Sequence, residues 1–264
     1  MTSAALTIAG SDPSGGAGIQ ADLKTFAAYR VYGAAVLTAL TAQNTRGVRT
    51  VEVVPPDFLA AQLDAVLDDL RIGAIKTGML PNGAAVEVVA RAMARVPSVP
   101  LVVDPVLVST SGHALADAST VTALRTTLLP RAHLVTPNLA EAEALLGTPV
   151  RSPADMQAAA RALVGLGARA ALVKGGHLTG SAYDVLCAGD RVHEFDAPRL
   201  TVASTHGTGC ALSAAIAAAL ARGEPLVEAV GRAKRYVHRA LERAVAIGGG
   251  VRLLDHSVGP DNSG

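Results

Sequence analysis

Six short apolar runs punctuate the chain: ALTIAG (5–10), AAVLTAL (34–40), AIKTGM (74–79), LVVDPV (101–106), HLVTPN (133–138) and ALVKGG (171–176). Each is apolar at successive positions rather than alternating, the pattern of a strand covered on both faces. Between them, apolar residues return every three to four positions. IQADLKTFAAYR (19–30), PDFLAAQLDAVLDDL (56–70) and AAVEVVARAMARV (84–96) therefore predict helices. Pro56 and Asp57 mark a helix start, and Asn138 and Ser152 have the side chains of helix caps. Strand and helix alternating in this way predict an α/β fold, a mainly parallel central sheet between two layers of helices.

One pair of runs breaks the alternation. YDVLCAG (183–189) and RVHEFDAP (191–198) are separated only by a Gly189-Asp190 turn, which predicts a hairpin at a sheet edge. Two helices close the pattern, 208–222 and 225–246, and the tail 248–264 reads as loop, ordered only where it docks. No internal repeat or low-complexity linker divides the chain, so a single domain over 1–264 is expected.

Composition narrows the partners. Lysine plus arginine (23) nearly balance aspartate plus glutamate (22), and aromatic residues are 3%. A nucleic-acid partner would want a basic stripe or a stacking platform, and neither is present. The longest apolar run, Ala211–Ala221, is about half of the ~20 residues that cross a bilayer. MTSAALTIAGSD has no basic segment leading into an apolar one, so a cytoplasmic protein without a membrane role is expected. Cys187 and Cys210 form no CxxC, which argues against a disulfide scaffold or zinc ribbon.

In open α/β sheets, ligands bind beyond the carboxyl ends of the strands, and the polar residues gather there. Ser11 and Asp12 follow the first run, Gln43 and Asn44 the second, and Met79 another. Asp104, Asn138 and Lys174 close three more. GSDPSGGAGIQAD (10–22) contains a formal dinucleotide fingerprint but lacks the acidic ribose partner about 20 residues on. A glycine-lined substrate loop opening at Gly10 fits better, with Asp22 either facing that loop or solvated on its helix. Asp104, before a proline, is a turn cap or a magnesium ligand. Asn138 and Glu141, three residues apart, are a capping box or part of the same ion site. Lys174, followed by two glycines, suits a phosphate.

THGTGCALSAAIAAAL (205–220) carries the densest chemistry. Gly207, Thr208, Gly209 and Cys210 present successive N–H groups at a helix N-terminus, an anion site for charge developing on a phosphoryl group. A thiol at that end is expected below its usual ~8.5 and able to accept a proton; the alternative is a small buried hydrophobe. Among the seven histidines, His206 and His177 flank this site, and none shows metal-ligand spacing.

GSDPSGGAGIQADLKT, TALTAQNTRGV, KTGML, VVDPV, TPNLAEAE, VKGGH and STHGTGCALSAAIAAAL, in this order, resemble the hydroxymethylpyrimidine/phosphomethylpyrimidine kinases of thiamin biosynthesis, from about residue 5 to 245. The resemblance implies a ribokinase-like three-layer αβα sandwich and a homodimer. It implies ATP and magnesium as cofactors, with phosphorylation of 4-amino-5-hydroxymethyl-2-methylpyrimidine and then of its monophosphate. It places Gln43 on the aminopyrimidine edge, Asp22 near the same ring, and Met79 and Val106 in the pocket wall. Asn138 and Glu141 match the magnesium-associated motif, Lys174 the residue near the nucleotide phosphates, and Cys210 the position where sugar kinases of this fold carry an aspartate base. The tail AIGGGVRLLDHSVGPDNSG departs from the family pattern in its shifted Gly-Pro, which leaves its cover of the nucleotide side open. A pyridoxal kinase of the same branch would share the Gly-Thr-Gly-Cys turn, and a pyrimidine-binding module without catalysis would share the pocket.

Overall fold

A computed structural model describes residues 3–108, 117–176, 182–200 and 205–260. Eleven strands run in chain order as β1 (Ala4–Ser11), β2 (Tyr32–Asn44), β3 (Gly47–Val53), β4 (Ala74–Thr77), β5 (Leu101–Val103), β6 (Leu134–Val135), β7 (Ala170–Lys174), β8 (Asp184–Ala188), β9 (Arg191–Phe195), β10 (Thr205–His206) and β11 (Arg252–Leu253). Among the described residues eight α-helices accompany them: α1 (Gly18–Ala28), α2 (Pro56–Leu67), α3 (Gly83–Met93), α4 (Ala118–Ala123), α5 (Leu139–Leu146), α6 (Pro153–Gly165), α7 (Thr208–Ala221) and α8 (Leu226–Glu242).

Nine strands form one sheet in the order β3-β2-β1-β4-β5-β6-β7-β8-β9. The six from β2 to β7 are parallel, while β3, β8 and β9 pair antiparallel at the two edges. The apolar runs explain the burial. Along β5, Leu101 and Val103 enter one core with α2, α3, α5 and α6, while Val102 enters the other with α1, α7 and α8. Both faces are covered, so neither needs polar positions. Helix α7 is the extreme case: Ala211 through Leu220 are all buried and six of these ten residues are alanine, so the rod lies close against the sheet.

Two expectations change and one holds. The strand run at 34–40 continues to Asn44 and folds back as β3, giving a second edge hairpin that the charged, mostly exposed GVRTVEV obscured. The expected helix start holds: α2 begins at Pro56 with Asp57 in its first turn and no side-chain cap. The tail is not loose through residue 260. β11 pairs with β10, Val251 N–H donates to the Thr45 carbonyl at 2.8 Å, and Leu253, Leu254 and Val258 are buried. It therefore docks on the β2–β3 turn, on the opposite flank of the sheet from β7 and β8.

Candidate active site

The carboxyl ends of the parallel strands border one cavity of about 990 Å³. Strand order distributes its walls. Gly10, Gln43 and Met79 line it from the β2–β1–β4 side, Asp184 and Lys234 from the β8 side, and the mouth of α7 faces Asp104 of the central β5.

The Gly207–Cys210 turn is built by close backbone packing. Gly207 has φ +82°, and a Cβ there would lie 1.8 Å from the Gly16 carbonyl oxygen; only glycine allows these two loops to interlock. The first intrahelical acceptor is Gly207 itself, bonded by the Ala211 N–H at 2.9 Å. The N–H groups of Thr208, Gly209 and Cys210 therefore have no acceptor within the helix and open toward the cavity their residues line. Lys174 closes in from β7: a Cβ on Gly209 would meet its Nζ at 3.2 Å. Ammonium, helix mouth and amides together form a strongly anion-favouring corner.

Asp104 faces that corner from β5. Its Oδ1 accepts from Lys174 Nζ at 2.9 Å and its Oδ2 from the Ser213 hydroxyl at 3.1 Å. Burial alone would raise its pKa; the ammonium groups of Lys174 and Lys76 outweigh it and hold the carboxyl below the usual range. Glu141 stands 3.9 Å from Lys174, and its Oε2 accepts the Asn138 N–H at 2.7 Å while Asn138 accepts the Glu141 N–H at 2.9 Å. The capping box is thus real and shares its carboxylate with the cavity. Burial pushes Glu141 up to about 7, against the pull of Lys174.

Two expectations are corrected here. Asp22 does not face the cavity. It is fully buried, bonded to Lys76 Nζ at 2.8 Å and to the Thr7 hydroxyl at 2.6 Å, so Lys76 and not Asp22 borders the floor. The Cys210 thiol is not depressed either: burial, with Asp104 and Asp22 adding to it, pushes it up to about 11 although Lys76 and the Gly18 N–H pull the other way. The helix N-terminus still favours the thiolate, but the desolvation of the thiol is larger.

Gly10, Gln43, Met79, Val106, Asp104, Asn138, Glu141, Lys174 and the Gly207–Cys210 turn all border the cavity. A Cβ on Gly10 would come within 2.6 Å of the Met79 methyl, a contact that this flexible side chain can move to relieve. Asp12, Lys76 and Ser213 are site residues that sequence reasoning did not single out for a role. The KTG in AIKTGM was a usable signal for Lys76, because a lysine inside a buried strand demands a partner. His206 lines the site as expected, and His177 lies outside the described residues. Among the described residues no three His, Cys, Asp or Glu side chains gather as a metal cage.

The open, mainly parallel nine-stranded sheet with helices on both faces and a helix mouth over its middle is a ribokinase-like α/β fold. Comparison with known proteins narrows this: residues 12–255 match the phosphomethylpyrimidine kinase family, and the chain belongs to it. A hydroxymethylpyrimidine/phosphomethylpyrimidine kinase of Rhizobium meliloti is 52% identical over 246 residues, 92% of each chain. The chloroplastic thiamine biosynthetic bifunctional enzyme of Arabidopsis thaliana is 49% identical over 260 residues, 96% of this chain. The chain spans about half the length of the bifunctional relatives it matches. Among solved structures, an ADP complex of Bacillus subtilis pyridoxal kinase superposes with a TM-score of 0.90 at 36% identity, over 97% of this chain and 98% of that one. No helix among the described residues is long and apolar enough to cross a membrane.

Proposed function

We propose that this chain transfers the terminal phosphoryl group of ATP to the hydroxymethyl group of 4-amino-5-hydroxymethyl-2-methylpyrimidine, and then a second one to the resulting monophosphate. One observation carries this reading: a single cavity holds both an amide flanked by apolar walls (Gln43 with Met79 and Val106) and a phosphate-type corner (Lys174 with the Gly207–Cys210 amides). The amide reads a heterocycle edge, donating to a ring nitrogen and accepting from an amino group.

The corner supplies preorganised donors to the oxygens of a phosphoryl group in transfer, where the transition state is loose and positioning dominates. Magnesium would arrive with the nucleotide. Two buried carboxylates share one lysine, and Glu141 is pushed up to about 7, so the donor set is short of positive charge and fits a divalent ion. Asp104 and Glu141, with Asn138 beside them, would hold it directly or through water, and it would neutralise phosphate charge. Cys210 meets the acceptor as a thiol. The first acceptor is an alcohol that must lose its proton, so a base helps it; the second is a phosphate monoester with second pKa near ~6, already ionised. The thiolate, a minor form of Cys210 at neutral pH, is therefore the base that serves the first step, and the backbone turn serves both.

Product analysis with ATP, magnesium and the pyrimidine tests the proposal: monophosphate appears first and diphosphate follows. Pyridoxal is the competing acceptor that the Bacillus neighbour recommends. A kcat/KM for pyridoxal above that for the pyrimidine would replace this reading, and no ATP turnover with either would leave a binding module. A homodimer is carried over from the family, checked by light scattering.

A further inference from the structure

The β10–β11 pair holds a side chain that the proposed reaction needs. His206 Nε2 lies 3.2 Å from Asp12 Oδ2 and 3.0 Å from the terminal nitrogen position of the Gln43 amide. One ring nitrogen faces both groups. Asp12 acts as an acceptor throughout: its Oδ1 takes the Ser14 N–H and hydroxyl at 2.9 and 2.7 Å, and its Oδ2 the Ala17 N–H at 2.9 Å. Burial would raise its pKa, but the bonds from His206 and Ser14 hold it below the usual range, so it is a carboxylate. An unprotonated Nε2 would set its lone pair against that carboxylate oxygen. Nε2 therefore carries the hydrogen and donates.

The group of Gln43 that meets an N–H must be an acceptor. The two ends of a side-chain amide are nearly interchangeable in position and are assigned by their bonding partners, which here put the amide oxygen toward His206. We propose that His206, held by Asp12, is a positioning residue that takes the Gln43 amide oxygen and so turns the amide's NH₂ into the cavity. The site then selects a heterocycle that offers an acceptor nitrogen at that edge, and the second lone pair of the oxygen is left for an adjacent amino group.

The ring has little room to swing. A Cβ on Gly16 would touch the His206 ring at 3.0 Å and Leu253 at 2.6 Å, so the imidazole lies between the glycine loop and the tail strand. The tail that forms β11 is itself tied to the β2–β3 turn at Thr45, two residues beyond Gln43. Loop, tail and hairpin thus share one joint, and its outcome is the orientation of one amide.

This inference rests on the reading of Gln43 given under the proposed function. The test is a double-mutant cycle of His206→Phe and Gln43→Leu, read by steady-state kinetics and by calorimetry of the pyrimidine. Phe keeps the packing against Gly16 and removes the hydrogen. We expect His206→Phe to raise the pyrimidine KM about 10-fold and leave the ATP KM within about twofold. In the Gln43→Leu background the same change adds less than about twofold, because the residue acts through the amide. Losses that multiply in the double variant overturn the proposal. Asp12→Asn carries the same cycle should His206→Phe fail to fold, with a pyrimidine KM about 3-fold higher and the same non-additivity. Calorimetric binding without phosphorylation in the parent chain would sink the kinase reading and leave the cycle readable as affinities.

Discussion

Two lysine–carboxylate pairs take their lysines from strands of the same sheet, and they behave differently. Lys76 and Asp22 are both fully sealed, one ammonium to one carboxylate, with Asp22 Oδ1 lacking a hydrogen-bond partner. Lys174 keeps 14% of its side chain exposed and serves two carboxylates, Asp104 and Glu141. The Lys76–Asp22 pair is matched in charge, and disturbing it disturbs the fold. An open group with one carboxylate in excess is incomplete, and what completes it comes from outside. Stoichiometry and solvent access, rather than residue type, separate a structural ion pair from a reactive one. Cys210 lies in the field of both lysines and reports on each.

The comparison breaks or sharpens under substitution. The largest effect is expected from Lys174→Met: kcat should fall about 10²–10³-fold, as when a preorganised donor is removed, with little change in melting temperature. Lys76→Met should do the reverse, removing about 3–5 kcal/mol of stability and lowering Tm by ~10 °C. Equal Tm losses in the two variants would erase the distinction. Next comes pH. With the thiol near 11, the thiolate fraction grows as pH rises, so the rate of the alcohol step should climb by up to tenfold per unit between about pH 7 and 9. The phosphate step should stay flat, and Cys210→Ala should flatten the first profile; equal losses in both steps would confine Cys210 to the anion corner. Glu141→Gln should raise the magnesium requirement about tenfold, and an unchanged titration would take Glu141 out of the ion site. The smallest effect lies away from both lysines. His256 is pushed down to about 4 by burial, with Lys24 adding to it. An unfolded histidine takes its proton near ~6.5. The unfolded chain therefore binds more protons between those values, and stability should fall as pH drops through that window. His256→Gln should shallow the fall in Tm.

Much of this was legible in the chain. Apolar runs such as the LVV of LVVDPV gave two-faced strands because Leu101, Val102 and Val103 are all buried, and the carboxyl-end rim followed from parallel topology. Less legible was anything decided by distant partners. Asp22 occupies a reasonable position for a substrate contact, yet Lys76, 54 residues away, captures it. The thiol's helix position predicts one direction for its pKa, and the surrounding protein reverses it, because burial depth cannot be read from a local motif. Strand β3 escaped notice because an edge strand facing water carries arginine, threonine and glutamate rather than a hydrophobic run.

The alanine rod α7 has one more consequence. A helix separated from its neighbours by methyl groups has almost no rotamers to vary, so its axis is placed by bond lengths rather than by the choice of side chain. The cavity-lining turn Gly207–Cys210 rides on that axis like the tip of a rigid stylus. A substitution along the shaft reaches them only by displacing the whole rod, which makes a larger residue at Ala214 or Ala218 a probe of alignment felt at a distance.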